Sequence, residues 1–147
     1  MSIEKDMHNN VKVQRVIAPL AIGANATKSG KVIDRRGYGG VEFVASYGAV
    51  TTTGTIVTLV VMEGDVTGTL TSVADADLLG TEALASLAVQ ATSRTSEVGK
   101  NVSKRVGYKG IKRYVTVDAV QTGTTSLGAL SVEAVLFNPG VAPTANP

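Results

Sequence analysis

The chain has 147 residues, no cysteine, no tryptophan, 4% aromatic residues and a formal net charge of +2. The missing cysteines exclude a disulfide framework and thiolate metal sites, and the small, interspersed charge surplus argues against nucleic acid as a partner. This length suits one domain that buries roughly 70% of its unfolded surface without a metal or disulfide. Valine, threonine, alanine and glycine dominate. Side chains branched at Cβ are stiff at χ1 and pack well on a pleated surface, so the composition points to an all-β fold.

Residues 1–10 read as a flexible N-terminal arm, because Glu4, Lys5, Asp6, His8, Asn9 and Asn10 offer nothing to bury. They also lack the apolar stretch of a secretory signal, and no apolar run is long enough to span a bilayer, so a soluble chain is expected. Val11, Val13, Val16 and Ile17 predict a first strand stopped by Pro19, which cannot donate to a ladder. Residues 20–26 predict a second strand, ended by the turn Thr27-Lys28-Ser29-Gly30, and residues 31–34 a third. Val41, Phe43, Ala45 and Tyr47 alternate with Glu42, Val44 and Ser46, the period-2 signature of a strand. A Thr-Gly turn over 48–54 leads to residues 55–63, apolar on both faces and so expected centrally with cover on both sides.

After a turn at 64–68, Leu70 and Val73 predict a short strand. Residues 75–91 read as a long loop holding one short helix, with Leu84, Leu87 and Ala91 at helical spacing and Gly80 interrupting. Strands are expected again over 101–108 and 111–120, the latter with Ile111, Val115, Val117 and Ala119 on one face. A second Thr-Gly turn at 121–126 precedes a last strand over 127–137, broken by Asn138-Pro139-Gly140. The predicted organisation is an N-terminal arm at 1–10, one domain at 11–137 and an extended C-terminal tail at 138–147. Eight or so short strands at close intervals predict a jelly-roll-like β-sandwich with extended arms.

Arg35-Arg36-Gly37-Tyr38-Gly39-Gly40-Val41 and Arg105-Val106-Gly107-Tyr108-Lys109-Gly110-Ile111 nearly repeat one another seventy positions apart. Each opens an alternating strand, followed by a Thr-Gly turn and a second apolar strand, which reads as one β-hairpin used twice. Gly37, Gly39, Gly40, Gly107 and Gly110 lack the spacing of phosphate-binding loops and read as turn or bulge devices. Tyr38 and Tyr108 read as packing at the core edge with a hydroxyl reaching the backbone. Beside them lie Arg35, Arg36, Lys104, Arg105, Lys109, Lys112 and Arg113, which could in principle stack and pair with nucleic acid.

No catalytic constellation emerges. His8, the one histidine, sits in the arm without a partner for a relay. Asp65, Asp75 and Asp77 offer oxygen ligands without calcium-loop spacing, and Glu42, Glu63, Asp118 and Glu133 read as cross-strand partners of Lys and Arg. The expectation is a non-enzymatic chain without catalytic residues, metal or cofactor, binding through surfaces. Val11, Val13, Arg36, Arg105, Lys109, Arg113, Pro139 and Pro143 are the candidates for such contacts.

Several segments resemble a family of small structural proteins of tailed bacteriophages. They are Val32-Ile33-Asp34 with Gly37, Met62-Glu63-Gly64-Asp65, Val73-Ala74-Asp75-Ala76-Asp77-Leu78-Leu79-Gly80, and the final strand ending in Pro139. The most specific is Arg105-Val106-Gly107-Tyr108-Lys109-Gly110-Ile111-Lys112-Arg113-Tyr114-Val115-Thr116-Val117, and the whole likeness covers roughly residues 30–140. The chain departs from that family at Gly64-Asp65, where a longer polar turn is usual. The resemblance implies a capsid decoration (cement) protein on the outer surface of a virion head, made in the host cytoplasm. The implied partners are the major capsid protein and further copies of itself, as a homodimer or homotrimer, with no membrane and with nucleic acid disfavoured. The alternative class is a carbohydrate-binding or adhesion module, which the missing tryptophan argues against.

Overall fold

A computed structural model describes residues 5–21, 26–48, 56–87, 101–122 and 129–145. The strands in chain order are β1 (Val11–Ala21), β2 (Thr27–Ser29), β3 (Ile33–Asp34), β4 (Tyr38–Tyr47), β5 (Ile56–Val66), β6 (Thr69–Ser72), β7 (Leu78–Leu79), β8 (Val102–Tyr108), β9 (Tyr114–Thr122) and β10 (Ala129–Pro139). One sheet has the order β1-β10-β4-β8-β7, and the other β2-β9-β5-β6 with β3 also on β9. All these pairings are antiparallel.

The pairings nest. β1 lies on β10, β2 on β9, β4 on β8 and β5 on β6, as if one long hairpin had been wrapped around a barrel. Wrapping then brings β10 against β4 and β9 against β5. This is the winding of a jelly roll, so the fold is an all-β sandwich as the composition indicated. Alternate residues from both sheets meet in the core, including Phe43, Val41 and Leu136 from one side and Leu59, Val61 and Val117 from the other.

Several expectations change in detail. The two repeats are not hairpins: β4 and β5 belong to opposite sheets, as do β9 and β10. Most of the connections at 48–54 and 121–126 lie outside the described residues. The tight hairpin is instead β5–β6, where Val66 faces Thr69 across Thr67-Gly68. β1 does not stop at Pro19 but runs through it to Ala21, absorbing part of the expected second strand. It can do so because β1 is an edge strand, with irregular register between Arg15 and Leu20, where a missing N–H costs no ladder bond. Residues 27–29, read as a turn, form β2. At the other end, β10 continues to Pro139, paired with Tyr38, beyond the expected break at 138.

β5 is central, yet its second face is only half-covered. Val57, Leu59 and Val61 are buried, while Ile56, Val60 and Met62 are partly exposed. What is covered is its edge beyond β6. A one-turn helix, α1 (Glu82–Ala85), is capped by the Thr81 hydroxyl accepting from Leu84 N–H. Its surroundings then stand in for a strand: Leu59 N–H donates to Ser86 Oγ, Val61 N–H to Glu82 Oε1, and Val57 and Leu87 exchange backbone hydrogen bonds. The short helix in the long loop is therefore present, but it ends too early to put Leu84 and Leu87 on one face. Leu84 is 70% exposed, and Leu87 is buried.

The C-terminal segment is tied to the start of β1 and to the residues before it: Thr144 donates from N–H to Asn9 O at 2.9 Å and from Oγ1 to Val11 O at 2.7 Å, while Asp6 accepts locally from Asn9.

Candidate functional site

The two Gly-Tyr segments, far apart in sequence, meet at one end of the sandwich. β4 and β8 are antiparallel neighbours with Val41 opposite Tyr108 and Glu42 opposite Gly107, so the segments run in opposite directions and adjoin. Gly37 takes φ +91 in the turn closed by Tyr38 N–H on Arg35 O, a conformation that favours glycine. Gly107 and Gly110 have no such φ. They are small because neighbours crowd them: a Cβ on Gly110 would enter the Tyr108 ring, and one on Gly107 would meet Glu42 Oε2 at 2.6 Å. Gly40 is crowded in the same way by the Phe137 ring.

Arg35 fastens the two segments together. Its Nε donates to Lys112 O at 2.5 Å and its Nη2 to Gly110 O at 2.7 Å, while its guanidinium lies 5.3 Å from the Tyr108 ring centre. Tyr108 is buried at the edge of the core. Its hydroxyl donates to Glu63 Oε2 at 2.5 Å and accepts from Lys112 N–H at 3.0 Å. Burial first, and the Glu63 carboxylate second, push this phenol well above its ordinary pKa, so it stays a donor.

These contacts explain why 111–113 are not strand. The carbonyls of Gly110 and Lys112 are taken by Arg35, so β9 starts only at Tyr114 and Ile111 is 89% exposed rather than on the core face. Arg113 clasps Asp34 with Nε at 3.0 Å and Nη2 at 2.7 Å, and stacks 4.8 Å from the Tyr114 ring centre. The Arg113 hydrogen bonds hold the Asp34 carboxyl below its ordinary pKa, and Asp34 also accepts from Arg36 N–H. Lys112 pairs with Asp65 at 2.6 Å. Between Arg35, Arg36, Gly37, Tyr38, Ile111 and Arg113 lies an open groove of about 370 Å³. Among the described residues, the Arg36 and Lys109 side chains have no carboxylate within 4.0 Å.

The remaining candidates are dispersed. Val11 and Val13 lie on the outer face of β1, opposite Phe137 and Val135, with Val13 42% exposed. Pro139 is half-buried at the end of β10, and Pro143 is exposed. Arg105 sits on the outer face, 3.8 Å from Glu42. Asp75 and Asp77 occupy a 3-10 turn, while Asp65 is engaged with Lys112. Asp118 accepts from Gly30 N–H at 3.3 Å, Glu133 is exposed on β10, and His8 is exposed before β1. Arg35 as the organiser of this end was not foreseen. Its place before Gly37 in the repeat was the available signal, but only the pairing of β4 with β8 shows what it reaches.

Glu42 offers a pH test. Burial disfavours its charged form and Arg105 offsets only part, so its carboxyl is held above the ordinary 4.5. The folded chain then binds this proton more tightly than the unfolded one, and the stability it contributes at acid pH declines as the pH rises through 4.5 and the higher folded value. Glu42→Gln is expected to melt above the parent at pH 7, with the gap closing below pH 4.5. A variant that melts lower at pH 7 would show that the Arg105 pair dominates.

No family model and no curated protein sequence matches the chain. Among solved structures it is similar to the disulfide-linked pili of Bacillus endospore appendages, at 15% identity and TM-score 0.36, over 88% of this chain and 92% of that one. It is also similar to the CBM22-1–GH10 modules of Clostridium thermocellum endo-1,4-β-D-xylanase 10B with xylohexaose, at 10% identity and TM-score 0.42, covering 95% of this chain. A third is infectious bursal disease virus, Gt strain, at 12% identity and TM-score 0.32, covering 93% of this chain. The chain spans 28% of the xylanase chain and 46% of the viral one. All three TM-scores are too low to establish a shared function.

Proposed function

We propose that this chain is a non-enzymatic virion protein, a decoration or cement protein that binds the outer surface of a phage head and stabilises it. The observation that carries this reading is the use of its acids by its own framework, within a fold that recurs in viral shells. Glu63 serves Tyr108, Asp34 serves Arg113 and Arg36, Asp65 serves Lys112, and Glu42 faces Arg105. Function then falls to surface contact with the major capsid protein and with further copies of the chain. The likeness of residues 105–117 to decoration proteins supports the same reading.

The test compares phage heads assembled with and without the chain. Heads carrying it are expected to rupture at higher temperature, and deletion of residues 141–147, beyond β10, should weaken attachment. Heads equally robust in both states would refute the cement role. The second reading, a carbohydrate-binding module, draws on an open groove of about 330 Å³ at the far end of β4, lined by Ser46, Ser103, Ser131 and Asn101. Tight, selective binding on a glycan array would favour it.

A further inference from the structure

Ile111 presents a physical puzzle. It is 89% exposed on a loop that the fold holds unusually firmly. Arg35 fixes the carbonyls on either side of it, Tyr108 fixes Lys112 N–H, Asp65 fixes the Lys112 ammonium, and Asp34 fixes Arg113. A solvated loop tip needs none of this. A side chain carried on a backbone that is already fixed loses less entropy when it docks, which is the usual arrangement of a binding anchor.

The flanking charges define what would meet it. Arg36 and Lys109 are exposed, with no carboxylate within 4.0 Å among the described residues, and Arg36 lines the groove beside Ile111 together with Arg113, whose guanidinium is paired with Asp34. An isoleucine knob next to a cationic groove fits an apolar socket rimmed by aspartate or glutamate. Desolvated carboxylate–guanidinium hydrogen bonds would set orientation while the knob supplies burial. Phosphate backbones would use the cations but have no use for the isoleucine.

We propose that residues 109–113, with Arg36, form the contact by which this chain seats on an acidic, apolar-socketed face of a capsid subunit. Arg35 and Tyr108 are positioning residues that hold the knob. This inference rests on the decoration reading, and the experiment separates the two. Full-length chain is titrated onto purified heads that lack it, at low and high salt, alongside Ile111→Ser and the double variant Arg36→Glu/Lys109→Glu.

The expected result is that Ile111→Ser, which adds no charge, weakens binding by about tenfold or more at both salts, through lost apolar burial. The charge-reversal variant should weaken it most at low salt, where attraction is least screened. Both variants should melt with the parent, since the changed side chains are exposed. Parent and variants binding heads equally would overturn the loop assignment and leave the decoration reading intact. A parent that does not bind heads would overturn both. Binding to a DNA duplex that is lost on charge reversal but unaffected by Ile111→Ser would replace the capsid face with nucleic acid.

Discussion

Tyr108→Ala is expected to be among the most destabilising single changes in the chain, at about 3–5 kcal/mol. It empties a buried site beneath the Arg35 guanidinium and removes the hydroxyl that joins Glu63 to Lys112 N–H. Against a total stability of about 5–15 kcal/mol, such a loss should lower the melting temperature by roughly 10 °C or more. Tyr108→Phe separates the two contributions. It keeps the ring and orphans the partly buried polar groups, at about 1–3 kcal/mol. Thermal and denaturant melts of the two variants measure both terms. A Phe variant that melts with the parent would show that the Glu63 hydrogen bond contributes little and that packing alone holds this end.

Gly110→Val is expected to cost about 1–3 kcal/mol, or more where the backbone must move, for a reason of space rather than backbone conformation. The first atom of any side chain there collides with the Tyr108 ring, which cannot yield because it is itself buried. Gly107→Val should cost less, since its nearest contact is the far end of the Glu42 side chain. Gly37→Val has open space around it and should suffer through its φ of +91 instead, at about 1–3 kcal/mol. Asp75→Ala, on an exposed 3-10 turn, is the control and should stay within about 0.5 kcal/mol. Melting temperatures rank the four. A Gly110 variant as stable as the Asp75 variant would mean that Tyr108 can swing away, and that the ring is not the fixed point assumed here.

Much of this protein can be read from local pattern. Alternation over 41–47 and 115–119 names the side chains that reach the core, because a strand's side-chain period of two holds whatever its partner. The wealth of β-branched residues sets the fold class, whereas the Gly-Tyr segments, which read as the openings of two hairpins, instead lie side by side at one end of the sandwich. Partnership is another matter. A strand's backbone donors and acceptors are the same whichever strand it meets, so nothing local says that β1 pairs with β10 or that β4 and β5 part into different sheets. Pro19 shows the consequence: it reads as a terminator, yet is harmless in a strand that ends its sheet and has a partner strand on one side only. Ile111 shows it most clearly. Its alternation with Val115 and Val117 reads as core, but Arg35, seventy-six positions earlier, occupies the carbonyls that a ladder would need. Only long-range closure of the jelly roll brings that guanidinium to them, and so only the tertiary structure turns a predicted core residue into an exposed knob.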